Sequence, residues 1–311
     1  ALLRRGVMRP AGRAALLKAA ATASDTDKVK LIGALNALYQ TPKEELAAEI
    51  ALVREALQSD DAALKRQAAI TLAHLDPEAE DAAVILRGHL KNERGNLDYN
   101  SVHALRLLGP NAKPALDDMI KLLDDERAAY NALNVLEAMG PEAAPAIPKA
   151  TELLAGDQTF YPAAKFLGSV GPAAKPAIPE LLAQLDHPRR MQQAAAALGK
   201  IEAPSDQVLP VLYKHLRDPH LRDPAVAALG DLGETGRDAL PVLHKAMKLG
   251  DPELTAVAAG ALGPLGDVAS GSADELVNVF SSTDVQVLTF AACSLGRISA
   301  PPERAVPALA K

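Results

Sequence analysis

The side chains best suited to chemistry in this sequence are seven histidines and one cysteine. The histidines are His74, His89, His103, His187, His215, His220 and His244. No two of them are four residues apart and none precedes a glutamate, so the pattern lacks the helical histidine pairs that bind catalytic metals. Cys293 has no second cysteine for a disulfide or a cysteine-only zinc site, and no neighbour that would activate its thiol. We therefore expect no catalytic residue, no metal, no cofactor and no enzymatic activity.

The composition of the 311 residues favours helices packed at close range. Hydrophobic residues make up 49 % of the chain and aromatic residues 3 %, so the core must come from alanine and aliphatic side chains. A net charge of −6 gives no general attraction for nucleic acid or an anionic membrane. No apolar run approaches the roughly 20 residues that a membrane-spanning helix needs. We expect a soluble chain, and the sequence leaves open whether it is cytoplasmic or exported after loss of a leader.

A leucine recurs at nearly constant spacing through the chain. Its nine positions, 31 residues apart in the middle of the series and 33 or 37 at its ends, are Leu35, Leu72, Leu105, Leu136, Leu167, Leu198, Leu229, Leu262 and Leu295. A small residue lies four positions earlier in eight cases: Ala68, Ser101, Ala132, Ala163, Ala194, Ala225, Ala258 and Ala291. A small side chain at one fixed place on a helix lets the neighbouring helix approach closely. The pattern predicts an array of repeats.

Each repeat is predicted to contain two helices. A second apolar series begins at Leu116, Ile147, Ile178, Leu209 and Leu240, and its members have apolar partners three, four and seven residues on. That spacing is typical of one face of an α-helix. Gly-Pro pairs such as Gly109-Pro110 separate this helix from the first, and the glycine predicts a left-handed helix cap.

The repeats resemble HEAT repeats, in particular the short HEAT-like repeats of the phycobilisome lyase type. The residues that carry the resemblance are Ala197-Leu198-Gly199, Ala228-Leu229-Gly230 and Ala261-Leu262-Gly263, together with the period and the alanine column. The resemblance implies an all-α fold, a right-handed α-solenoid of about nine two-helix repeats forming a single domain over 1–311. In that family an arginine commonly lies seven residues before the leucine of each repeat. Here only one repeat has it, as Arg222, so we expect no regular ladder of Asp–Arg contacts.

Both ends of the chain are predicted to be cut in mid-repeat. Lys311 falls two residues after Leu309, whose register corresponds to the middle of a second helix, and residues 1–7 correspond to the end of a first helix. Helical arrays usually finish with polar capping repeats. We therefore expect either that the chain is a fragment or that a partner covers its two ends.

The predicted function is that of a non-enzymatic scaffold that binds a protein or peptide. Second helices usually line the concave side of such an array, and their outward positions offer a groove. The predicted partner-binding residues are Val211, Lys214, His215, Arg217, Val242, Lys245, Lys248, Lys121, Lys149, Glu152 and Glu180. The charge along this series changes from mixed in the early repeats to basic in the later ones, and His215 and His244 are expected to be half-exposed.

Two other functions remain open. The resemblance to phycobilin lyases suggests a chromophore or cofactor attachment factor, which needs a pocket with aromatic walls. Some HEAT-like proteins, the alkylpurine DNA glycosylases, bind DNA on a basic face with aromatic residues. The tyrosines here, interpreted as scattered over the helices, are Tyr39, Tyr99, Tyr130, Tyr161 and Tyr213. With few aromatic residues and no basic ladder, we do not expect nucleic acid as the partner.

Overall fold

The structure is a computed structural model that describes residues 10–39, 41–92, 94–218, 220–300, 303 and 306. The predicted half-repeats at 1–7 and around Leu309 lie outside the described residues. The chain divides into two compact units, residues 1–146 and 147–311, and each is described by itself. The described parts of both units contain helices and no strand, and one isolated bridge joins Lys91 to Leu97. The prediction of an all-α solenoid fold is confirmed.

The first unit has eight described α-helices. They are α1 (Pro10–Thr22), α2 (Asp25–Ala34), α3 (Ala47–Ala56), α4 (Ala62–Leu75), α5 (Glu80–Leu86), α6 (Tyr99–Leu108), α7 (Leu116–Leu122) and α8 (Glu126–Met139). Short 3₁₀ helices cover Leu35–Leu38, Lys43–Glu45, Arg87–His89, Gly109–Ala115 and Gly140–Ala146. Helices α2, α4, α6 and α8 are the first helices of their repeats, and consecutive first helices pack against each other.

The second unit has ten described α-helices. They are α9 (Ile147–Glu152), α10 (Phe160–Val170), α11 (Ile178–Ala183), α12 (Met191–Lys200), α13 (Ser205–Leu216), α14 (Arg222–Asp231), α15 (Leu240–Met247), α16 (Pro252–Leu262), α17 (Ala273–Asn278) and α18 (Val285–Leu295). Its 3₁₀ helices are Leu153–Ala155, Gly171–Ala177, Gln184–Asp186, Gly233–Ala239, Gly266–Ser272 and Val279–Ser281. The even-numbered helices are first helices, and α9, α11, α13, α15 and α17 are second helices. Among all described helices of the chain, none is both long and apolar enough to cross a membrane.

The repeat columns form the core of both units. All nine marker leucines are at most 2 % exposed, and the eight small residues four positions earlier are at most 1 % exposed. Ser101 is the polar member of the small-residue column, and its hydroxyl donates a hydrogen bond of 2.9 Å to Asp98 Oδ2. Because the hydroxyl is satisfied, a serine can replace alanine there without leaving a buried polar group unpaired. The predicted packing role of the small-residue column is confirmed.

Gly109, Gly140 and Gly171, the glycines of the Gly-Pro pairs that end first helices, have positive φ, but the predicted left-handed helical cap is wrong. Gly109 has φ 54° and ψ −126°, and Gly140 has φ 62° and ψ −135°. A left-handed helical residue would have ψ near +47°, whereas the observed region is essentially restricted to glycine. The backbone then continues directly into seven residues of 3₁₀ helix. The glycine therefore turns the chain from one helix towards the next.

A second glycine position allows close contact between neighbouring repeats. A Cβ atom placed on Gly199 would lie 2.6 Å from the carbonyl oxygen of Leu232, closer than real Cβ contacts come. The same register holds Gly230 and Gly263, which are also approached closely by the following repeat. The Leu-Gly signature therefore has two parts: the leucine fills the core and the glycine makes room for the adjoining backbone.

Ion pairs join consecutive repeats, mainly in the first unit. The N···O distance is 2.7 Å for Arg13–Glu49, 2.5 Å for Arg66–Asp98 and 2.8 Å for Arg87–Asp118. Each pair joins residues 31 to 36 positions apart, which is about one repeat. Arg222, the one arginine that lies seven residues before a marker leucine, pairs with Glu253 at 2.5 Å in the second unit. Ion pairs thus add to the apolar contacts between repeats, and they use several registers instead of one.

Candidate functional site

The outward side of two second helices in the second unit carries basic and aliphatic residues at matching positions. Helix α13 places Val211, Lys214 and Arg217 three residues apart, and Val242, Lys245 and Lys248 occupy the same registers on α15. Residues three apart on a helix lie on neighbouring parts of one side. We call these six residues the basic second-helix patch. Their arrangement agrees with the pattern from which they were predicted, and their role in binding a partner stays a prediction.

The four cations of the patch are exposed and have no acidic partner among the residues that the structure describes. Lys214, Arg217, Lys245 and Lys248 are all exposed to solvent. Within the residues that the structure describes, no carboxylate oxygen comes within 4.0 Å of any of these four side chains. The two valines beside them are half-buried or exposed, and Val242 keeps 45 % of its surface accessible. The patch therefore combines uncompensated positive charge with accessible aliphatic surface.

Position at the ends of helices accounts for part of this charge. Lys214 lies in the last turn of α13 and Arg217 at its C-terminal cap, while Lys245 lies in the last turn of α15 and Lys248 at its cap. Cations there interact favourably with the partial negative charge of the helix C-terminus, by roughly 0.3–1 kcal/mol each. That interaction neutralises little of a full charge, so the side chains remain able to attract an acidic group.

His215 was expected on the same outward side, and that expectation is wrong. Its side chain is 3 % exposed, and its Nε2 lies 2.9 Å from Asp186 Oδ1, although the angles do not make this contact a hydrogen bond. The residues in the same register of the three preceding repeats are Leu122, Leu153 and Gln184. Two of the three are apolar, which is the signal in the sequence that could have placed His215 at the edge of the core.

His244 faces the following repeat within the second unit. Its Nε2 lies 2.7 Å from Ser272 Oγ, and its Nδ1 lies 3.9 Å from Glu275 Oε1. The expectation that its side chain is partly exposed agrees with an exposed fraction of 24 %. No cluster of three or more histidine, cysteine, aspartate or glutamate side chains suited to a metal occurs in the described part of the chain. Cys293 is exposed on α18.

The other predicted partner-binding residues are dispersed. Lys149 on α9 pairs with Glu152 at 3.1 Å, and Glu180 is exposed on α11, all three in the second unit. Lys121 lies on α7 in the first unit, 4.0 Å from Asp118. Only the later members of the predicted series therefore form a patch with uncompensated charge.

The sequence analysis missed a column of tyrosines, which it interpreted as scattered. Tyr99, Tyr130 and Tyr161 are 31 residues apart, at the same register of α6, α8 and α10. Their exposed fractions are 63 %, 53 % and 49 %. In the first unit, Tyr99 and Tyr130 line a cavity of about 490 Å³ between α6 and α8. The repeat period, once found, was the signal that could have identified this column.

A second cavity of the first unit, of about 500 Å³, is lined mainly by basic and amide side chains. It contains Arg66, His89, Lys91 and Arg94. Burial, and to a smaller extent the positive charge of Arg66, lowers the pKa of His89. Arg66 is already paired with Asp98 at 2.5 Å, in an ion pair that joins two repeats, so its charge is partly neutralised.

Tyr213 on α13 has a buried hydroxyl group that has no hydrogen-bond partner among the described residues. Burial, with a smaller effect of Asp238, raises the pKa of Tyr213 to about 12. The phenol is therefore neutral at physiological pH and cannot serve as a base there.

No family model and no curated protein sequence matches this chain. Among solved structures, the karyopherin Kap121p bound to Pho4p is similar over 94 % of this chain and 38 % of that chain, at 14 % identity and a TM-score of 0.47. Kap121p bound to the extreme C-terminus of the protein phosphatase Cdc14p is 13 % identical, with a TM-score of 0.46, over 94 % of this chain and 38 % of that chain. A structure from work on a phosphorylation switch that controls the interaction between cadherin and beta-catenin is 16 % identical, with a TM-score of 0.35. That similarity covers 96 % of this chain and 62 % of the other.

The chain thus spans less than two thirds of each of these solved chains. With identities of 13 to 16 % and TM-scores below 0.5, the similarities carry no function over to this chain. The argument about function rests on the residues of the chain itself.

Proposed function

We propose that the chain is a non-enzymatic scaffold that binds an acidic segment of another protein on the basic second-helix patch of the second unit. The observation that carries this proposal is the set of four exposed cations, at equal registers of α13 and α15, without a carboxylate within 4.0 Å among the described residues. Most other cations of second helices are paired with acids of their own or the next repeat. Leaving these four unpaired keeps a local positive potential on a chain whose net charge is negative.

The spacing of the patch suits an extended acidic segment. Packed helices lie about 8–10 Å apart, which is close to the roughly 9.3 Å that three residues of a segment in the polyproline II conformation span. Because this conformation has three residues per turn, acidic residues at every third position could reach Lys214 and Lys245 in turn. Val211 and Val242 would contact the apolar residues between them. In such a complex, charge sets the rate of association and the register, and the aliphatic contacts slow dissociation.

The test is a binding titration with a defined acidic peptide. We expect a fluorescein-labelled peptide of about ten residues, with glutamate at every third position, to bind the native chain with an affinity that falls steeply as salt screens the charges. The double variant Lys214→Glu, Lys245→Glu should bind at least about tenfold more weakly, because each reversal turns an attraction into a repulsion worth of order 1 kcal/mol. The melting temperature should hardly change, because exposed charges contribute little to stability.

The matched control is the double variant Lys165→Glu, Lys200→Glu. These lysines are exposed on first helices of the same unit, so the variant changes net charge equally without altering the patch. We expect it to retain binding. Equal loss of binding in both variants would show that net charge alone attracts the peptide, and equal loss of binding and stability in the patch variant would show that the lysines are structural.

Capture from native lysate identifies the natural partner. The protein of interest is one that the native chain and the Lys165→Glu, Lys200→Glu control retain and the patch variant loses.

The 31-residue register runs through both units, which supports the further proposal of one repeat array over 1–311, of the phycobilisome lyase type. Of the two other functions, chromophore attachment gains one observation from the described residues, the cavity between α6 and α8 with Tyr99 and Tyr130 in its wall.

A further inference from the structure

The cavity between α6 and α8 of the first unit has walls that repeat from one helix to the next. Tyr99 and Asn100 on α6 correspond in register to Tyr130 and Asn131 on α8. All four line the cavity of about 490 Å³, whose other lining residues include Val102 and Val135. Both valines are at most 3 % exposed, and the tyrosines are more than half exposed. The cavity is therefore an open groove with an apolar floor and two aromatic side chains at equal registers. We call it the tyrosine groove.

The polar groups of the tyrosine groove are available to a ligand. The side-chain amides of Asn100 and Asn131 and the hydroxyls of Tyr99 and Tyr130 form no hydrogen bond with any described residue. By contrast, Asn134 donates from Nδ2 to the carbonyl oxygen of Tyr130 at 2.9 Å, which fixes its orientation. An asparagine amide both donates and accepts, so it can pair with the main chain of a peptide.

The usual separation of packed helices such as α6 and α8 matches one turn of a polyproline II helix. Packed helices lie about 8–10 Å apart, and three residues of polyproline II extend about 9.3 Å. Residues at every third position of such a segment therefore meet equivalent side chains on α6 and α8. This conformation has no internal backbone hydrogen bonds, so its carbonyl oxygens can accept from Asn100 and Asn131. Aromatic-lined grooves bind it at low entropic cost, because it is ordered before binding.

The charge of the tyrosine groove selects an acidic segment. Arg106 and His103 line one side, with the guanidinium Nη2 3.5 Å from His103 Nε2. No carboxylate is among the described residues that line the groove. A glutamate of the ligand would supply the missing negative charge, since a carboxylate can accept two hydrogen bonds from a guanidinium.

We propose that the tyrosine groove binds a proline-rich segment of a partner protein in the polyproline II conformation, with an acidic residue that pairs with Arg106. The proline rings pack against Tyr99 and Tyr130, and the asparagine amides pair with the peptide carbonyls. This site lies on first helices of the first unit and is independent of the basic second-helix patch. It would give the scaffold a second binding specificity, for the shape of the peptide as well as its charge.

The experiment compares three labelled peptides of about twelve residues, built from Pro-Pro-Glu, Pro-Pro-Gln or Gly-Gly-Glu triplets, by fluorescence anisotropy with the full chain. We expect Pro-Pro-Glu to bind best. Pro-Pro-Gln should be weaker because it lacks the charge, and Gly-Gly-Glu because it lacks the preformed conformation. Tyr99→Ala and Tyr130→Ala should each weaken binding of Pro-Pro-Glu roughly tenfold, as for aromatic anchors at other interfaces. Arg106→Gln should abolish the preference for Pro-Pro-Glu over Pro-Pro-Gln.

Two controls test whether the peptide binds at the tyrosine groove itself. Tyr39→Ala removes a tyrosine of similar exposure, 59 %, that does not line the groove, and it should bind the peptide as the native chain does. Because acidic peptides can also bind the basic second-helix patch, all of these measurements are made with chains that carry Lys214→Glu and Lys245→Glu, so failure of the patch proposal leaves this result unchanged. The proposal is overturned if Pro-Pro-Glu fails to bind at millimolar concentration, if Gly-Gly-Glu binds as well, or if the two tyrosine variants bind undiminished. Melting curves of the variants confirm that they are folded.

Discussion

The two units use the cations of their second helices in different ways. In the first unit, Arg54 contacts Asp76 and Asp81, Arg87 contacts Asp118, and Lys121 lies 4.0 Å from the same Asp118. In the second unit, the corresponding side of α13 and α15 holds four cations without a carboxylate within 4.0 Å among the described residues. Arg54 and Arg87 thus join consecutive repeats in the first unit, whereas the cations of α13 and α15 stay accessible in the second.

This difference separates stability from binding within one repeat pattern. The leucine and small-residue columns are buried alike in both units, so they cannot distinguish them. The charged residues can distinguish the two units, because the effect of a cation on stability depends on whether the next repeat provides an acid about 31 residues away. A repeat that provides the acid gains a contact, and a repeat that omits it keeps a charged surface. The predictions below test this separation, beginning with the largest effect.

The Arg13→Met variant should destabilise the first unit by about 3 kcal/mol, the lower part of the range for breaking a buried ion pair. Glu49 is only 3 % exposed on its side chain, and Arg13 Nε lies 2.7 Å from it. Removing the arginine leaves a buried carboxylate unpaired. Urea titration followed by methyl NMR signals of each unit measures the loss. Signals of the second unit should not change.

The control for this variant is Lys18→Met, which removes an exposed cation from the same helix and should have little effect. Adding Glu49→Gln to Arg13→Met should recover part of the stability, since the unpaired charge is then gone. A cost confined to packing would be unaffected by the second substitution, and that outcome would contradict the ionic explanation.

Replacement of the buried alanines should cost the same in both units. Ala132 and Ala194 occupy one register and both are 0 % exposed. Ala132→Leu and Ala194→Leu should therefore each destabilise the unit in which they lie by roughly 1–3 kcal/mol, the usual cost of an overpacked core. Thermal and urea unfolding measure it, with Ala183→Leu at an exposed position of α11 as the control. A tolerated leucine in one unit only would mean that the two cores are not equivalent.

The sequence predicted what depends on a single helix face and its period. The nine leucines, the small-residue column and the glycines between helices all follow from spacing. The leucines and the small residues are buried as predicted. The chain turns at the glycines, though not in the left-handed helical conformation. The burial of His215 depends on a neighbour, Asp186, and on the apolar residues at its register in earlier repeats. The tyrosine groove was missed for a simpler reason: the period was applied to apolar residues and not to Tyr99 and Tyr130. Which lysines lack an acid required three-dimensional distances.

Acidification should weaken the first unit more than the second. The guanidinium of Arg13 holds the pKa of Glu49 below its ordinary value, and the cations Lys43 and Arg54 outweigh burial to hold the pKa of Asp76 below its own. Because both folded pKa values are lowered, their stabilisation is complete above the ordinary values of 4.5 and 3.8 and is lost as the pH falls through the folded values.

In the second unit, desolvation raises the pKa of Asp231, a modest effect because the residue keeps contact with solvent. A raised folded pKa has the opposite sign, so stability there should rise slightly as the pH falls through it. Urea titrations between pH 7 and about 3, read from the methyl signals of each unit, measure both trends. A parallel decline of the two units would contradict the unequal distribution of ion pairs.

The smallest effect is expected where the cations are unpaired. The Lys214→Gln, Lys245→Gln variant should lower the stability of the second unit by no more than about 0.3 kcal/mol per lysine, the weak end of the interaction with a helix C-terminus. Arg54→Gln in the first unit should cost more, since Arg54 contacts two carboxylates, one of them on the largely buried Asp76. Peptide binding should reverse this order: the lysine variant should lose affinity for the acidic peptide and Arg54→Gln should retain it. If Arg54→Gln weakens peptide binding as much as the lysine variant does, an ion-paired arginine contributes to the affinity as much as an unpaired lysine. The cations of the two units would then not be divided between stability and binding.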